Sequence, residues 1–98
     1  MANLTPTLVE LKLQIQDDLI AFLQTETQLA AAFCDLFQRT QNQERRARLQ
    51  GEIQKIVNTL RHFGERIADA PIRSDILREA DRLSNFLVRL SGQTGSER

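Results

Sequence analysis

Apolar residues in the second half of this chain recur every three or four positions, and that rhythm leaves few folds open. Leu49, Ile53, Ile56, Leu60, Phe63 and Ile67 form one series, and Ile76, Ala80, Leu83, Leu87 and Leu90 form another. A helix turns once in about 3.6 residues, so each series lines one helical face and requires a neighbouring helix to cover it. No stretch alternates with the period of a half-buried strand.

The first half carries a broader apolar arc. Leu8, Leu11, Ile15, Leu19 and Phe22 make one stripe, and Val9, Leu13, Ile20 and Leu23 widen it. Such breadth suits a helix touched on two sides. Thr7 with Glu10 three places on matches a capping box. Gln24 to Gln28 is a polar interruption, and Thr25 with Gln28 offers a second cap. The seven-residue series Leu8, Ile15, Phe22, Leu29, Leu36 nevertheless runs straight through it. One long helix from about 7 to 39 is therefore expected.

Further boundaries follow from turn chemistry. Asn42 is placed to cap a second helix over about 43–68. Gly51, beside the core face, and Gly64, next to Phe63, suit close helix crossings, with a kink as the other reading of Gly64. Asp69-Ala70-Pro71 punctuates the chain, with Pro71 suited to a new first turn and Ser74 as a second candidate cap. Gly92 is the natural stop for a third helix ending near Ser91.

The predicted fold is thus all-α: an antiparallel three-helix bundle, or four helices if the first breaks near residue 25. Ninety-eight residues make one domain, expected over 1–91, with 92–98 as a flexible tail. A first helix longer than its neighbours leaves apolar surface uncovered, and dimerisation is the expected cover. Phe22, Leu29, Phe33, Leu36 and Phe37 are the predicted oligomer contacts.

Charge narrows the function classes. Thirteen basic residues balance thirteen acidic ones, so bulk charge does not point to nucleic acid or anionic lipid. The distribution is uneven. Glu10, Asp17, Asp18, Glu26 and Asp35 face one lysine, Lys12, in residues 1–38. In 39–73, Arg39, Arg45, Arg46, Arg48, Lys55, Arg61, Arg66 and Arg73 outnumber Glu44, Glu52, Glu65 and Asp69. The plainest explanation is an acidic first helix beside a basic second one, within a subunit or between two. Arg45, Arg46, Arg48 and Lys55 otherwise form a basic patch able to receive an acidic protein surface or phosphate.

Catalytic chemistry finds little support. Nucleophilic catalysis needs a base beside the nucleophile. The sole histidine, His62, lies off the core stripe, and the sole cysteine, Cys34, sits in an apolar run on another helix. A dinuclear metal bundle needs inward glutamates and paired Glu-x-x-His motifs. Here His62-x-x-Glu65 is reversed and occurs once, and Asp18 is expected to point outward. Glycine-rich phosphate loops are missing from the sequence, and no apolar run approaches the ~20 residues of a membrane span.

The expectation is a non-enzymatic cytoplasmic protein without cofactor or metal, acting through protein–protein contacts as an adaptor, assembly factor or regulator. Its partners would be a second copy and another protein. Two alternatives stand: a nucleic-acid-associated regulator using Arg45, Arg46 and Arg48, and an accessory subunit of a larger enzyme or complex.

Overall fold

A computed structural model describes residues 7–95, with side chains over 7–90. Three helices account for most of that span: α1 (Leu8–Arg39), α2 (Gln43–Gly64) and α3 (Ala70–Gly95). No strand occurs among the described residues. Successive helices run antiparallel. α2 packs extensively on both neighbours, whereas α1 and α3 meet more sparingly.

α1 is a single helix, unbroken at residues 24–28. The two threonines there do not cap. Thr25 Oγ1 donates to the Ala21 carbonyl and Thr27 Oγ1 to the Gln24 carbonyl, so both hydroxyls bond back onto the helix. Thr7 is the N-cap, its hydroxyl accepting from the Glu10 N–H. At about 1.5 Å per residue the 32 residues of α1 span about 48 Å, against about 33 Å for the 22 of α2.

The turns obey local chemistry. Asn42 caps α2 by accepting from the Arg45 N–H at 2.9 Å. α2 stops at Gly64, four residues before the predicted end, and Glu65–Asp69 turn the chain. Asp69, rather than Ser74, caps α3: its carboxylate accepts from the Ile72 N–H at 3.1 Å, with Pro71 in the first turn. α3 does not end at Gly92. A glycine stops a helix by taking a positive φ, and none of the described glycines does so. Residues 92–95 are therefore helical, and the remainder of the predicted tail, 96–98, lies outside the described residues.

The core is the one the rhythm demands. Leu49, Ile53, Ile56, Leu60 and Ile67 are buried, as are Ile76, Ala80, Leu83 and Leu87, with Phe63 and Leu90 packed at the edge. A fully buried leucine such as Leu60 contributes about 1.5–3 kcal/mol through removal from water. α1 adds Leu23, Ala30 and Phe37. Gly64 sits where α2 meets α3, and a Cβ there would lie 3.1 Å from both Ile76 Cγ2 and Leu77 Cδ2. Gly51 makes no close crossing, because a Cβ there would meet nothing within 4 Å.

One long-range polar contact sets the relation between α1 and the rest. Gln16 Nε2 donates to the Arg66 carbonyl at 3.0 Å, and the Ala68 N–H donates to Gln16 Oε1 at 2.8 Å. The side chain thereby satisfies two backbone groups of the α2–α3 turn. It also fixes the level at which that turn meets α1, so the helix before Gln16 projects beyond it.

Candidate interaction surface

α1 presents two apolar rows at seven-residue spacing. The inner row is Leu23, Ala30 and Phe37. The outer row is Leu8, Ile15, Phe22, Leu29 and Leu36, exposed by 68, 62, 47, 42 and 48% respectively. Leu11, at 40%, lies beside it. Every member of the outer row is a large hydrophobe standing in solvent, and the row runs nearly the whole helix.

Its two ends differ. Before Gln16 the row belongs to the projecting segment, where Leu8, Val9, Leu11, Leu13 and Ile15 are all exposed. Farther on, it borders α2. The Phe22 ring meets Phe63 edge-on at 6.5 Å. Leu36 shares a shallow depression with Arg39, Thr40, Gln41 and Arg45. Leu8, Leu11, Ile15, Phe22, Leu29 and Leu36 thus leave a run of exposed large hydrophobes along α1, the kind of feature that marks an interaction surface.

The predicted oligomer contacts therefore separate. Phe22, Leu29 and Leu36 are on the outer row. Phe33 is half-buried against the core. Phe37 is buried within its own chain, its ring 5.9 Å from Phe86 in an edge contact, and it is unavailable to a second chain.

The basic patch is likewise divided. Arg45 and Arg48 are exposed and have no ion-pair partner among the described residues. Arg46 instead lies over the Phe37 ring, 4.4 Å from its centroid. Such a contact is worth about 0.5–1 kcal/mol at a partly exposed site, and it gives Arg46 a structural role. Lys55 is exposed and pairs with Glu52 one turn earlier at 2.9 Å. The acids of α1 do not answer these cations: Asp35 pairs with Arg39 in its own helix. Among the described residues the ion pair joining two helices is Arg61–Asp81, at 3.3 Å between α2 and α3.

Elsewhere the side chains carry little chemistry. His62 is exposed, its ring against Phe63. Cys34 is half-buried, and burial pushes its thiol pKa up, with Arg82 opposing the shift. That is the reverse of an activated nucleophile. Asp18 is exposed, and no group of three metal-ligating side chains converges among the described residues. No described helix is long and apolar enough to cross a membrane.

Two features have no sequence signal to announce them. Gln16 binds backbone fifty residues away, and no local pattern marks a glutamine for that role. The stacking of Arg46 on Phe37 depends on how α1 and α2 cross. Compared with protein-family models, with curated proteins and with solved structures, the chain matches none.

Proposed function

We propose that this chain is a non-enzymatic interaction protein whose working surface is the outer row of α1. The observation that carries the reading is the continuity of that row: five large hydrophobes at seven-residue intervals, each exposed, on a helix whose adjacent face already serves the core. Burying them against solvent-facing apolar groups of another helix is the main gain open to this molecule. The role is that of an adaptor, assembly factor or regulator, including an accessory subunit of a larger complex.

The test is the double variant Leu29→Glu/Leu36→Glu, made on the exposed row. Helix content and melting temperature should stay close to those of the original chain. Self-association and retention of partner proteins should both be lost. Equal behaviour of the two chains in both assays would overturn the reading.

A second reading draws on Arg45 and Arg48, which are exposed and lack ion-pair partners among the described residues. A nucleic-acid-associated regulator would use them as phosphate contacts. Binding of labelled duplex DNA and single-stranded RNA should then fall steeply between about 50 and 200 mM salt and vanish in Arg45→Glu/Arg48→Glu. Salt-independent or absent binding removes it.

A further inference from the structure

A second surface lies at the end of the bundle where α1 finishes, α2 begins and α3 runs out, and it stands independently of the outer row. All three helices line a depression of about 380 Å³ there: Phe37 and Gln38 from α1, Arg46 from α2, and Phe86, Arg89 and Leu90 from α3. Phe37 is buried and Phe86 half-buried, and their rings meet edge-on at 5.9 Å. The apolar part of the lining is therefore held in place by core packing.

Arg46 gives the depression its chemistry. Its side chain is half-buried, with the guanidinium 4.4 Å from the centroid of the Phe37 ring. A ring attracts the charge of a guanidinium but supplies no oxygen for its fork of N–H donors. No carboxylate of the described residues pairs with that fork, and none of its nitrogens is sealed from solvent without a partner. Partial burial strengthens a charge-assisted bond to an anion brought there, relative to the same bond in open water.

Charge around the depression is one-sided. Residues 35–50 and 85–90 hold Arg39, Arg45, Arg46, Arg48 and Arg89 against Asp35 and Glu44. Asp35 is already held by Arg39 at 3.2 Å. Arg45, Arg48 and Arg89 are exposed and have no ion-pair partner among the described residues. The chain as a whole is neutral, so this excess is local.

An apolar lining bordered by unanswered arginines selects a ligand that is apolar and anionic at once. Nucleic-acid bases need open ring faces on which to stack. Phe37 offers none, being buried with Arg46 over its ring.

We propose that this end of the bundle receives an acidic, apolar segment of another protein. Carboxylates of the segment pair with Arg46 and Arg89, and a bulky apolar side chain between them packs against Phe86 and Leu90. Arg45 and Arg48 steer its approach.

The test is fluorescence anisotropy of the full chain with a labelled peptide repeating aspartate, leucine, glutamate and phenylalanine. Two control peptides replace the acids by their amides, or the apolar residues by alanine. The parent peptide should bind, and each control should bind at least about tenfold more weakly. Arg46→Gln/Arg89→Gln should cost about tenfold or more at unchanged helix content, and exposed Arg89→Gln alone should weaken binding without touching the core. Leu29→Gln/Leu36→Gln, which leaves net charge unaltered, should bind as the original chain does.

No binding of the parent peptide up to about 1 mM overturns the proposal, as does equal binding by the original chain and both arginine variants. Loss confined to Leu29→Gln/Leu36→Gln moves the peptide to the outer row, which overturns this site and supports that row. An alanine control as tight as the parent reduces the site to a general anion patch and removes the apolar contact. Single-stranded RNA that displaces the peptide at equal concentration assigns the arginines to phosphate and overturns the protein segment as occupant.

Discussion

The two rows of α1 make an instructive pair because they are one residue out of step. Phe22 and Leu23, Leu29 and Ala30, and Leu36 and Phe37 are neighbours in the chain, yet the first of each pair stands in solvent and the second is buried. Adjacent residues on a helix lie about 100° apart, so one face can serve the core while the next serves something else. Hydrophobicity is equal in kind on both rows. What separates them is the degree of cover: the bundle encloses the inner row, while the outer row gets no more than edge contacts such as that of Phe22 with Phe63.

The sharpest way to break that comparison is to truncate a matched pair. Leu23→Ala should cost about 2–5 kcal/mol in denaturant unfolding, because it opens a cavity in a fully buried site. Phe22→Ala should cost under about 1 kcal/mol in dilute chain, where the ring keeps only its edge contact with Phe63. Equal losses would mean that the outer row is covered within one chain. A Phe22 effect that grows with protein concentration would place its cover between chains.

The glycines of α2 repeat the contrast at smaller scale. Gly64→Ala should destabilise by about 1 kcal/mol, since the new methyl presses on the Ile76 and Leu77 side chains 3.1 Å away. Gly51→Ala meets open space and should stabilise by about 0.5–1 kcal/mol through helix propensity alone. Thermal melts of the two variants should move in opposite directions. A shift of the same sign in both would remove the close α2–α3 approach from the account.

The smallest effect sits on the boundary between inside and outside. Half-buried Cys34 has a raised thiol pKa, so less of it is thiolate at a given pH. Its alkylation at mildly alkaline pH should be slower than that of a small free thiol, and should recover in denaturant. Rapid alkylation in the native chain would show that α1 and α3 part more readily than their packing implies.

Much of the fold could be read in advance, and the limits have physical causes. Leu49 to Ile67 and Ile76 to Leu87 announced their burial because members such as Leu49, Ile53, Leu60, Ala80 and Leu83 have polar residues on either side, leaving one face to choose. α1 was different. Phe22 and Leu23 are both large and apolar, so periodicity identified a broad arc without saying which edge of it met α2. The same ambiguity placed Phe37 among the oligomer contacts, although Phe86 and Arg46 enclose it. The stop expected at Gly92 failed for another reason: glycine permits a helix to end without requiring it. Asp69 became the α3 cap because it stands immediately before the first helical residue, with the Ile72 N–H in reach.

Gln16 has one more consequence. By clipping the α2–α3 turn to a single level of α1, it divides the helix into a stretch that the bundle owns and a stretch that it does not. The eight residues from Leu8 to Ile15 continue the same unbroken helix as an arm past that clip. Adding or removing seven residues there changes the arm's reach by about 10 Å in nearly whole turns and keeps the outer row in phase. The length of this molecule's contact strip can therefore be varied while the core beneath it stays as it is.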